Sequence, residues 1–154
     1  MRSRHGGQFV VLAATWAQFG FAYTHDTTDR DGVQVRVSIN DPRAMTGDVL
    51  VSAWVTGTDV NRVRNLFERF FSNDVRVVRF DHTAEWGQTV RVAARVDLTG
   101  MDVEGLYFYS YDSAANTFRL IVEPNYRIDA NGFLWFNTDR GGSVIVSDGT
   151  LAQR

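Results

Sequence analysis

The chain has no cysteine, no lysine and only two prolines in 154 residues. Without cysteine there are no disulfides, thiolate metal sites or cysteine nucleophiles. Without lysine, all sixteen basic residues are arginine, scattered as the wet faces of strands carry them. A basic excess is missing too. The net charge is −2 and the pI about 5.9, which leaves nothing to neutralise a run of phosphates, so nucleic acid is not a predicted partner. The most apolar stretch, residues 9–22, is too short and too interrupted to make a membrane-spanning helix. With 44% hydrophobic and 22% charged residues, the composition is that of a folded domain able to bury a core without staples.

The N-terminus has two readings. Arg2, Arg4 and His5 precede F-V-V-L-A-A-T-W-A-Q-F-G-F-A, and Gly20-Phe21-Ala22 has the small-x-small form of a signal-peptidase site. Residues 1–22 are therefore either a secretory signal or, from Phe9 to Trp16, the first strand. Residues 23–154 read as one β-sandwich domain.

From Ala22 onward the apolar residues recur at period two. Val33, Val35, Val37 and Ile39 alternate with Gln34, Arg36 and Ser38; Val49, Val51, Ala53 and Val55 repeat the pattern, as do Val90, Val92, Ala94 and Val96. Such segments are half-buried antiparallel strands. Turn chemistry separates them, for example D-R-D-G at 29–32, D-S-A-A-N at 112–116 and D-R-G-G at 139–142. Asn131-Gly132, between Tyr126–Ile128 and Phe133–Phe136, predicts a type I′ hairpin. Gly141-Gly142 reads as a second hairpin turn. One segment departs from the rhythm: Val60, Val63, Phe67 and Phe70 are spaced three or four apart, which predicts an amphipathic helix over about 59–71, laid across an open end of the sheets. The fold class is all-β, an antiparallel Ig-like sandwich with that one helix.

Chemistry-bearing residues are sparse. Fourteen Asp against four Glu fall almost wholly in turns, where the short carboxylate accepts local N–H groups. Asp129-Ala130-Asn131-Gly132 resembles the start of a calcium loop but lacks the later ligands, so no metal or cofactor is predicted. Asp81, His82 and Glu85 are the one grouping from which a small hydrolase or lyase could be built. Gly141-Gly142 precedes a strand, not the helix a phosphate cradle needs.

Aromatics are abundant at 13%. In L-Y-F-Y-S-Y-D, Leu106 and Phe108 share one face and Tyr107, Tyr109 and Tyr111 the other; Phe133 and Trp135 share a face opposite Leu134 and Phe136. Exposed aromatics on a sheet can hold a sugar ring or a protein partner. Tyr107, Tyr109, Tyr111, Trp135 and Trp54 are the predicted contacts. The rival is a cross-strand aromatic ladder.

The block F-D-H-T-A-E-W-G-Q-T-V-R-V-A-A-R-V-D-L-T-G-M-D, then L-Y-F-Y-S-Y-D-S-A-A-N-T-F, then Y-R-I-D-A-N-G-F-L-W-F-N-T-D-R-G-G-S-V-I-V-S-D-G, resembles small β-sandwich accessory modules of secreted or cell-surface proteins from gut Gram-positive bacteria. The likeness covers roughly residues 49–150. It implies a non-catalytic binding or structural module at the cell surface, and it assigns no catalytic residues.

Overall fold

The computed structural model describes residues 9–154 in full and residues 2–3 as backbone. In chain order its elements are β1 (Arg2–Ser3), β2 (Phe9–Val11), α1 (Ala13–Trp16), β3 (Tyr23–Thr28), β4 (Gln34–Ile39), β5 (Val49–Leu50), β6 (Ala53–Trp54) and α2 (Thr58–Phe70). They continue with β7 (Val75–Phe80), β8 (Glu85–Ala94), β9 (Tyr107–Asp112), β10 (Thr117–Leu120), β11 (Arg127–Ile128), β12 (Leu134–Arg140) and β13 (Ser143–Ser147). Two five-stranded antiparallel sheets result, ordered β10-β9-β13-β7-β6 and β11-β12-β8-β4-β3, with a small third sheet β1-β2-β5. The fold is an antiparallel β-sandwich carrying a helix.

Alternation sets the inner faces. Val35, Val37 and Ile39 of β4, Val90, Val92 and Ala94 of β8, and Leu134 and Phe136 of β12 meet Val78, Phe80, Phe108, Val144 and Val146 of the opposite sheet. Each of these Val, Leu, Ile and Phe side chains contributes roughly 1.5–3 kcal/mol relative to an exposed position. The segment 49–55, which reads as one strand, is divided between two sheets: β5 pairs with β2 and β6 with β7.

The helix does not close an end of the sandwich. It lies on the outer face of the β7-containing sheet, where Val60, Val63 and Phe67 pack on Val75, Val77, Tyr109, Tyr111 and Ile145. The strands under the helix are consequently buried on both sides, so all five residues of β13 (S-V-I-V-S) and four of the six in β7 (V-R-V-V-R-F) are buried. A sandwich of two sheets has thereby gained a third layer.

Both predicted glycine turns form, with different geometry. Asp129 and Phe133 close a three-residue loop in which Gly132 has φ 85° while Asn131 keeps a negative φ. It is therefore the longer hairpin with glycine in the left-handed position, not the two-residue type I′ turn, which needs positive φ at both central residues. Gly141-Gly142 joins strands of different sheets, so it is a corner and not a hairpin. A Cβ on Gly141 would meet the His82 carbonyl oxygen at 2.0 Å.

Residues 9–22 contribute to this architecture as strand β2 and helix α1, so the single strand expected from Phe9 to Trp16 ends at Val11. Val11 and Trp16 are fully buried in the main core, and the Trp16 indole N–H donates to the Gly47 carbonyl at 3.1 Å.

Candidate functional site

The structure separates the five predicted aromatic contacts. Tyr109 and Tyr111 are buried beneath α2. The Tyr109 hydroxyl accepts the Leu151 N–H at 3.1 Å and the Tyr111 hydroxyl donates to Asn116 Oδ1 at 3.1 Å. They are core residues, which corrects the tyrosine platform: period two places them opposite Phe108, but the helix covers that face as well. Tyr107, at the strand's start, is 40% exposed. Trp54 packs at the margin of the helix-covered core and donates its indole N–H to Asp81 Oδ1 at 3.1 Å.

The Asp81, His82 and Glu85 side chains each make their contacts outside the trio, and Asp81 Oδ2 is buried without a hydrogen-bond partner. Asp81 Oδ1 also accepts from Arg79 at 3.1 Å, His82 Nε2 lies 3.1 Å from the Glu85 backbone carbonyl, and Glu85 pairs with Arg140 at 2.6 Å. Among the described residues no hydrogen bond or ion pair joins two of these three side chains.

Trp135 stands apart, on the uncovered outer face of the other sheet. Strand register fixes its neighbours: Arg127 pairs with Trp135, Trp135 with Ala93, Ala93 with Arg36, and Arg36 with Asp26. The five residues form one row across all five strands, because residues paired across an antiparallel ladder project to the same face. At the centre of the row only a methyl group separates the indole from the Arg36 guanidinium, two strand spacings or about 10 Å away. The resulting depression has a volume of about 210 Å³ and is walled by Trp135, Phe133, Arg36, Asp26, Gln34, Asn131 and Asp129.

These walls are held in place. The Trp135 indole N–H donates to Asp129 Oδ2 at 2.9 Å, while Asp129 Oδ1 accepts the backbone N–H groups of Asn131 and Phe133. The D-A-N-G turn thus orients the tryptophan that follows it. The indole bond and the turn amides hold the Asp129 carboxyl below the usual carboxylate range. Arg127 stacks over the indole with 4.7 Å to its centroid, and Arg95 lies 4.6 Å from the Phe133 centroid. Arg36 forms a two-pronged bridge to Asp26, at 2.7 and 3.0 Å. That hydrogen bond holds the Asp26 carboxyl below its ordinary value as well.

Chemically the depression offers an aromatic plane, two oriented carboxylates, a guanidinium and two amides. It is smaller than the roughly 300–1,000 Å³ of pockets that enclose drug-sized ligands, and suits one ring lying on the surface. Of its residues, the sequence reading names only Trp135 as a contact, though it places Phe133 on the same face. Asp26, Arg36 and Ala93 come from strands whose register local pattern does not encode. The chain matches no protein-family model, no curated protein and no solved structure in comparisons with each.

Proposed function

We propose that the chain is a non-catalytic binding module of the cell surface or exterior that holds a sugar ring on Trp135. One observation carries this reading: the row Trp135–Ala93–Arg36–Asp26, in which a fixed aromatic wall faces a fixed polar fork across a one-methyl gap. The apolar face of a pyranose stacks on an indole, while its hydroxyl groups need planar donors and acceptors at the ring's edge. Arg36, Asp26, Gln34 and Asn131 supply both kinds. The extracellular setting is supported by the resemblance of residues 49–150. Residues 9–22 are read as part of the module, since Val11 and Trp16 lie in its core.

Titration with a panel of neutral oligosaccharides, followed by tryptophan fluorescence, tests the site. Because Trp135 is itself the reporter, binding by Trp135→Ala is read by calorimetry. Binding that survives Trp135→Ala would remove the reading, as would a panel with no binder at all. Fractionation of cells making the protein tests the compartment: recovery only from the cytosol would contradict an exterior role.

A further inference from the structure

A groove of about 760 Å³ runs between α2 and the sheet it covers, on the far side of the sandwich from Trp135. Arg62, Arg69 and Arg79 line it, and no carboxylate is among its lining residues. Two of these guanidiniums are positioned by acids outside the lining. Asp59 reaches Arg62 at 2.6 Å and Arg79 at 3.5 Å, and Asp81 holds Arg79 at 3.1 Å. Among the described residues no carboxylate pairs with Arg69, which leaves the groove a net positive charge. Arg62 and Arg69 are seven residues apart, hence on one helix face and about 10 Å apart along its axis.

We infer that this groove binds an acidic oligosaccharide whose carboxylate or sulfate groups recur at every second sugar, spaced to meet Arg62 and Arg69. Asn61, Asn65, Thr83 and Ser143, also in the lining, supply neutral donors and acceptors for the hydroxyl groups between the charges. A peptide is disfavoured because Arg79, Ser143 and Tyr111, strand residues that line the groove, are each paired on both edges, so the groove presents no free strand edge to a peptide backbone. Nucleic acid is disfavoured because its phosphates recur about every 3.4 Å along each strand, against the roughly 10 Å between Arg62 and Arg69. The site is independent of the Trp135 depression and does not rest on it.

Fluorescently labelled heparin tetrasaccharide and oligogalacturonate are the probes, with polyglutamate as the peptide control, each read by anisotropy at low ionic strength and at about 0.15 M salt. At least one acidic glycan binds at low salt and weakens as salt rises; which of the two binds more tightly identifies sulfate or carboxylate as the preferred group, and either supports the site. Arg62→Gln and Arg69→Gln each weaken it about fivefold, a loss expected for one partly exposed charge-assisted contact. Arg30→Gln, in the β3–β4 turn, and Trp135→Ala leave it unchanged. No binding by either glycan overturns the inference. So does an equal loss in Arg30→Gln, which would make the effect one of net charge, or tighter binding of polyglutamate. Loss of acidic-glycan binding in Trp135→Ala would merge the two sites and also overturn it, whereas a failure of neutral sugars to bind touches only the Trp135 reading.

Discussion

Phe67 of α2 stands edge-on to Tyr111 of β9, with ring centroids 5.1 Å apart and planes at 88°. The contact places Tyr111 in a second core together with Tyr109, Val75, Val77 and Ile145. Tyr111→Ala or Tyr109→Ala should therefore cost about 3–5 kcal/mol, as other large aromatic truncations in cores do. The Phe substitutions, which remove only a hydroxyl and its hydrogen bond, should cost about 1 kcal/mol. Urea titration distinguishes the two pairs. Near-neutral alanine variants would mean that the helix does not cover this face.

On the opposite sheet the balance reverses. Arg36 and Asp26 are largely exposed, at 48% each, and exposed ion pairs contribute only about 0.2–1 kcal/mol. Arg36→Gln and Asp26→Asn should leave the urea midpoint almost unmoved yet abolish most binding of a neutral sugar ligand. Asp129→Asn is more informative still, because it weakens the acceptor that orients the indole. It should lower affinity less than Trp135→Ala does, with Arg36→Gln between them. A reversed order would show that the indole is not the main contact.

The difference between the two faces explains what the sequence made legible. Period two identified Val35, Val90, Leu134 and Phe108 as inward, since alternation needs no knowledge of the partner strand. It could not tell that β9 is buried on both faces, because that depends on α2 folding back over the sheet. The helix itself was readable from its 3.6 period, but its destination was not, since an apolar stripe says only that something covers it. The candidate site was readable in half: Trp135 follows from alternation around the D-A-N-G turn, while Ala93, Arg36 and Asp26 become its neighbours only through register. Those positions are 42 to 109 residues away in the chain, and nothing local couples them.

Trp16 tests the role of the N-terminal segment. Its side chain is buried at 1% exposure and meets Tyr23 edge-on at 5.6 Å. Trp16→Ala should cost about 3–5 kcal/mol, a large part of the total stability of roughly 5–15 kcal/mol of an ordinary domain. Removal of residues 1–22 should be worse, because Val11 leaves the core at the same time. Limited proteolysis and thermal melting of the truncated chain measure this directly. A truncated protein that melts like the intact one would restore the signal-peptide reading of the segment.

His25 predicts a pH response separate from that of the carboxylates. On β3 it faces inward at the sandwich margin, with its ring 4.6 Å from that of Phe9 and its Nε2 3.4 Å from Ser52 Oγ. Burial lowers its pKa below the ordinary histidine value; the neighbouring Asp26 opposes this but is the smaller influence. The unfolded chain then takes up a proton at higher pH than the folded one does. Stability from this residue is fully present above about pH 6.5 and declines as pH falls through the lowered folded value. The paired aspartates Asp26 and Asp129 lose their contribution only below about pH 4, where unfolded carboxylates titrate. Urea midpoints measured from about pH 7.5 down to pH 5 should therefore fall in the wild type and stay flatter in His25→Gln, which cannot take up the proton. An equal fall in both proteins would assign the response to another group.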